Sequence, residues 1–318
     1  MEEQNDIQKT AVAPQKTAVA PQKTAVAPQK TAVAPQKTAV APQKTAVAPD
    51  MVAPQSAVDN QQQVSETVTV GGKTYKVEKV MGSGAEGDIL LVTEGSKRYA
   101  LKRCHAGFKT NKAVMTALQQ LNGKGYIADI IDYADDYELQ EYISEGSAAT
   151  ANIKGNAQAI LAIAVKAAMS LSEMHKVGII HKDIKPANIL VKDTGSWDSV
   201  LCDFGIADVL KANGSVSTPQ VRTPIYAAPE VYGKGNTIVK EGVTYCELTP
   251  KADYYSLGMT ILSLWMGEGT FLSKEHELAM DKNKGRITVP ADMPDPLNKI
   301  CRGLLIKNAD KRWDFDKI

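Results

Sequence analysis

The stretch HKDIKPANIL, residues 181–190, sets Asp183, Lys185 and Asn188 two and three positions apart, directly before the apolar run Ile189-Leu190-Val191. Asp183 is a candidate acceptor of a hydroxyl proton. Lys185 is placed to neutralise charge on a transferring phosphoryl group. Asn188, together with Asp203 of LCDFG, offers hard oxygen ligands of the kind Mg²⁺ prefers, with phosphate and water completing its octahedron. Upstream, MGSGAEGDI carries Gly82, Gly84 and Gly87 as G-x-G-x-x-G, and glycines let backbone amides approach phosphate oxygens closely. That triplet alone is a weak signal. In YALKRC, Lys102 follows Ala100 and Leu101 on an expected strand. A lysine pointing inward there needs an anion, and phosphates would serve; a lysine snorkelling from an edge strand is the plainer alternative.

These residues need elements to hold them. TVTVGGKTYKVEKV alternates around Gly-Gly and reads as a hairpin, and GDILLVTEGSKRYALKRC as a second strand pair turning at Glu94-Gly95-Ser96. AVMTALQQL has helical periodicity, and YIADIIDY and YELQEYI read as two more strands. From Ala157 to His175 the pattern predicts a long, mostly apolar helix, followed by short strands within 179–202 and several helices to the end. The expected fold is α+β in two lobes with one cleft, a strand-rich part over about 65–143 and a helical part over about 144–318. The glycine triplet lies in a strand turn with no helix after it, which argues against a dinucleotide fold.

Residues 1–64 are of another kind. QKTAVAP repeats from Gln8, Gln15, Gln22, Gln29, Gln36 and Gln43. A seven-residue period invites a coiled coil, but each copy carries a proline that costs a helix about 3 kcal/mol. The segment is expected to be an extended, disordered tail. A formal charge of +1 gives no bulk pull toward nucleic acid or a membrane surface. Cys104, Cys202, Cys246 and Cys301 show no metal-ligand spacing and read as reduced thiols. The stretch AILAIAVKAAMSLSEM is interrupted by Lys166 and falls short of the roughly 20 apolar residues of a membrane span. No basic leader opens the chain, and a cytoplasmic location is expected. Oligomeric state is not legible.

Taken in order, the glycine loop, YALK, HKDIKPANIL, DFG at 203–205 and APE at 228–230 resemble the protein kinase family, of the eukaryotic-like (Hanks) serine/threonine form and the compact bacterial or phage type. The resemblance implies ATP and Mg²⁺ as cofactors and proteins as substrates. It places Met81, Gly82, Ser83, Gly84 and Gly87 over the nucleotide, Lys102 on its phosphates, and Ile89, Ala100 and Leu190 around the adenine. Glu141 to Ile143 become the hinge, bonding the adenine edge through their backbone behind Gln140; Asp183, Lys185 and Lys102 become the catalytic residues, and Asn188 and Asp203 the metal ligands. It also implies that Thr223 touches Asp183 and Lys185, that Glu230 pairs with Arg312, and that Asp253 braces the catalytic loop.

Three features depart from the pattern. No glutamate lies between Lys102 and Tyr137, so the helix that normally anchors the strand lysine offers Val114 or Met115 instead. Gln119, Gln120 or Glu86 are the possible substitutes, and a catalytically silent nucleotide-binding scaffold (a pseudokinase) is the alternative function. Lys182 stands where arginine is usual, although Ser215, Ser217, Thr218 and Thr223 are candidates for autophosphorylation. Residues 233–250 are longer than the usual linker after APE and are expected to shape substrate access.

Overall fold

The computed structural model describes residues 66–219, 224–232 and 237–318, all within one compact unit, Gln62–Ile318. The repeat tail and Thr223 lie outside the described residues. The first lobe is β1 (Thr67–Val70), β2 (Lys73–Ser83), β3 (Gly87–Glu94), β4 (Lys97–Cys104), α1 (Lys112–Leu118), β5 (Ile130–Tyr133) and β6 (Tyr137–Glu141). The strands form one antiparallel sheet in the order β1-β2-β3-β4-β6-β5. Strand alternation sorts its side chains. Leu101, Tyr137 and Leu139 pack with Tyr75, Leu90 and Val92 on one face, while Ala100, Lys102, Glu138 and Gln140 open onto the cleft on the other.

The second lobe opens with α2 (Ala157–Lys176), whose first turn is capped by the Asn156 side chain accepting from the Ala159 N–H. At 20 residues α2 matches the helix expected from Ala157 to within one residue at its end, and by length and composition it could cross a membrane. Here it is an interior helix, with Ile160, Ile163, Ala164, Ala167 and Leu171 buried in the lobe's core. Next come β7 (Ile179–Ile180), β8 (Ile189–Asp193), β9 (Asp198–Leu201), β10 (Asp208–Val209) and β11 (Val216–Pro219). The inserted segment folds as a hairpin, β12 (Thr237–Lys240) and β13 (Val243–Leu248), and β13 pairs with β11 in a three-stranded sheet. Then follow α3 (Lys251–Met266), α4 (Glu268–Ser273), α5 (Glu275–Lys284) and α6 (Leu297–Leu304). Ala252 through Leu264 of α3 are all buried, as befits a helix packed on every side.

Candidate active site

Two adjoining cavities occupy the cleft. One, about 380 Å³, is lined by Met81, Ile89, Ala100, Glu141 and Leu190 at its apolar end and by Lys102, Asn188 and Asp203 at its polar end. The other, about 350 Å³, lies under the glycine turn against Lys102, Asp183 and Asp203. The sequence-predicted residues are therefore brought together from β2, β3, β4, β6 and the segments around β8 and β9. The Ile143 side chain is buried against Ala128 and Val200, in keeping with a role expected of its backbone alone. The Glu141 carboxylate accepts from Lys192 at 2.9 Å.

The glycine turn is built by close approach. A Cβ on Gly87 would lie 2.3 Å from the Arg103 carbonyl oxygen, so the β3–β4 ladder admits only glycine there. The Gly84 N–H donates back to the Gly87 carbonyl, and Ser83 Oγ donates to Asp88. A Cβ on Gly205 would sit 2.3 Å from Glu86 Oε2 and 2.5 Å from Lys102 Nζ. A side chain at the third residue of DFG would therefore push aside the tips of Glu86 and Lys102.

Lys102 meets its carboxylates outside α1. Lys102 Nζ donates to Glu86 Oε2 at 2.9 Å and stands 3.6 Å from Asp203 Oδ1. Val114 and Met115 of α1 are fully buried apolar residues, so the helix offers no carboxylate. The sequence reading overlooked Glu138. It follows Tyr137 directly, is 2% exposed and is the register partner of Lys102 across β4 and β6. The signal was available in YELQ, where Glu138 and Gln140 share the polar phase of an otherwise apolar strand. Burial works against the Lys102 ammonium, but Glu138, Asp203 and Glu86 outweigh it and hold its pKa above that of an ordinary lysine. Burial raises Glu138, with Lys102 opposing.

Asp183 Oδ2 accepts from Lys185 Nζ at 2.6 Å and from Asn188 Nδ2 at 3.1 Å. Asn188 Nδ2 also donates to the Asp183 carbonyl, which leaves the amide oxygen for a cation. Asn188 and Asp203 line one cavity, and Asp183 and Asp203 the other. Two oxygen donors suit Mg²⁺, which draws its remaining ligands from phosphate and water. Among the described residues no group of three or more His, Cys, Asp and Glu could hold a metal alone. Lys182 and Asp203, at φ +70° and +60°, adopt the left-handed backbone that non-glycine residues mostly avoid, a strain that clusters at functional sites.

The loop is braced from beneath. Asp253 of α3 accepts from the backbone N–H groups of His181 and Lys182 at 2.9 and 2.8 Å, and its Oδ2 is 2.9 Å from His175 Nε2. Burial opposes ionisation of Asp253, yet these donors hold its carboxyl below the usual aspartate range. Arg312, fully buried, makes the expected two-pronged pair with Glu230 at 2.6 and 2.9 Å. Lys282 of α5 had not been singled out. It is 3% exposed and donates to the carbonyls of Pro224, Ile225 and Ala227 at 2.8, 3.0 and 2.8 Å.

Comparison with known proteins places this cleft in a family. Over 290 residues the chain is 27% identical to Serine/threonine-protein kinase PKH2 of Saccharomyces cerevisiae, covering 82% of this chain and 26% of that protein. It is 31% identical over 194 residues to Serine/threonine-protein kinase PkaA of Streptomyces coelicolor, 58% of this chain and 32% of that protein. It is 28% identical over 259 residues to Serine/threonine-protein kinase AtPK1/AtPK6 of Arabidopsis thaliana, 76% of this chain and 52% of that protein. The chain thus spans about a quarter to a half of these relatives, which come from a yeast, a bacterium and a plant and favour no single source. The family model for the protein kinase domain matches residues 75–318, from β2 to the end of the sequence, and the chain belongs to the protein kinase domain family.

Proposed function

We propose that the chain is a serine/threonine protein kinase that transfers the γ-phosphoryl group of ATP to protein hydroxyls with Mg²⁺. The observation that carries this reading is the Asp183 carboxylate, held between Lys185 and Asn188 at the edge of a cavity it shares with Lys102 and Asp203. Bound Mg·ATP would supply the electrophilic phosphorus and the divalent charge that offsets its oxygens. Asp183 steers the acceptor hydroxyl and takes its proton. Lys185 neutralises charge beside it, Lys102 holds phosphate oxygens, and Asn188 and Asp203 hold the metal. Met81, Ile89, Ala100 and Leu190 enclose the base, with the backbone of Glu141 to Ile143 along its edge. The carboxylates beside Lys102 favour an enzyme over a silent nucleotide-binding scaffold, because the lysine has counterions without α1. The compact bacterial or phage type and a cytoplasmic setting, where ATP and reduced thiols coexist, belong to the same proposal.

The test is transfer from labelled ATP to a generic acceptor protein, comparing the full chain with Asp183→Asn. The substitution should abolish transfer and leave ATP affinity within about threefold, because Asp183 acts on the acceptor rather than the nucleotide. Equal labelling by both proteins overturns the assignment of Asp183.

A further inference from the structure

Two carboxylates, Glu86 and Asp203, pair with the Lys102 ammonium, and a third, Glu138, stands opposite Lys102 across the sheet; the three are held very differently. Asp203 belongs to the metal pair proposed above. Glu86 lies in the turn between β2 and β3, its side chain one-third exposed, and its carboxylate reaches into the cavity under the glycine turn. It sits on the ammonium where phosphate oxygens would have to bind. Glu138 stands in the interior of the sheet, 2% exposed, directly across from Lys102. Its carboxylate accepts from Gln140 Nε2 at 3.4 Å, and its side chain lines the adenine-side cavity with Lys102.

On the ATP reading above, we propose that Glu138 is the positioning residue for Lys102 and that Glu86 is a placeholder which phosphate displaces. Opposed residues on neighbouring strands hold their Cβ atoms about 5 Å apart, a separation set by the backbone ladder. A carboxylate on β6 is thus presented to Lys102 wherever α1 sits. Glu86 competes instead, since two anions crowding one ammonium repel each other. It can leave at little cost because it already borders solvent. The pairing is assembled by the sheet and is independent of any movement of α1, whose facing residues Val114 and Met115 are apolar.

The two carboxylates therefore predict unequal effects, measured on the full chain. Glu138→Gln should lower kcat/KM for ATP by about tenfold or more, the scale of losing a residue that orients a site ligand. It should leave KM for the acceptor protein unchanged, which a general loss of fold would not. Glu86→Gln should keep kcat/KM for ATP within about twofold of wild type or improve it, because it removes a competitor from an exposed turn. A Glu138→Gln enzyme with wild-type ATP kinetics overturns the proposal. So does a Glu86→Gln enzyme impaired as severely as Lys102→Ala, and that variant, altered in an exposed turn, settles the matter even if Glu138→Gln fails to fold. Mg·ATP affinity measured by calorimetry should fall in the same order. If wild type binds ATP without transferring it, the kinase reading fails while the affinities still judge Glu138.

Discussion

The Lys182 ammonium donates to the hydroxyl of Thr218 at 2.8 Å, joining the residue before the proposed base to the activation segment. Lys182 also stands 3.5 Å from Asp208, and Thr218, 3% exposed, lies on β11, which is laced to β13 of the inserted hairpin. The unmodified hydroxyl thus has the partner that a phosphate on this segment would need. Ser215 is likewise buried, donating to Glu247 at 2.5 Å, and only Ser217 of the described candidates is exposed. After incubation with ATP and Mg²⁺, mass spectrometry should find Ser215 and Thr218 unlabelled, with any phosphate on β11 at Ser217. Thr218→Val should cost about 1–3 kcal/mol by leaving the buried Lys182 short of an acceptor, read from denaturant unfolding.

Arg312 is the largest fully buried side chain among the described residues. Besides Glu230 it donates to the carbonyls of Ile306, Lys251 and Lys307, and its guanidinium stacks over Tyr255 at 4.8 Å. Arg312→Ala removes the buried guanidinium that pairs with Glu230, and the expected loss is about 3–5 kcal/mol. Arg312→Lys should recover only part of it, because an ammonium cannot reproduce the planar fork. Thermal melting of both variants checks the order.

Burial lowers Lys282 to about 8, with Glu275 weakly opposing. Its value in the unfolded chain is 10.5, so between the two the folded state binds fewer protons and stability rises with pH. Below about 8 the cost of the buried ammonium is fully present. Melting temperatures from pH 7 to 10.5 should show this rise in wild type and lose it in Lys282→Met. The same variant removes the donor to the carbonyls of Pro224, Ile225 and Ala227, just before APE, and should raise KM for the acceptor protein more than KM for ATP.

Asp253 shows the opposite sign. Its folded pKa is depressed below 3.8, so its stabilisation is complete above that value and is lost as pH falls through the folded one. Asp253→Asn keeps the shape but weakens the acceptor of the His181 and Lys182 N–H groups. The acid limb of a stability–pH curve should flatten, and transfer activity should fall with the loosened loop.

The local chemistry was legible in one dimension because it depends on near neighbours. Strand alternation, the glycine turns, the α2 pattern and the spacing within HKDIKPANIL all follow from chain geometry over a few residues. The ordered motifs then pointed to a two-lobed family before any contact was known. That the Ile143 side chain packs with Ala128 and Val200, from other elements, is not contained in its place along the chain.

What the sequence decided alone is that Asp183, Lys185, Asn188, Asp203 and Lys102 occur with the types and order the chemistry requires. What only tertiary structure decided is which charges meet. Glu86 and Asp203 pair with Lys102 from separate turns, Glu138 stands opposite it across the sheet, and Lys282 reaches residues nearly sixty positions away. Burial and Coulomb attraction act through space, and register across a sheet is a property of two strands that neither strand's own pattern contains.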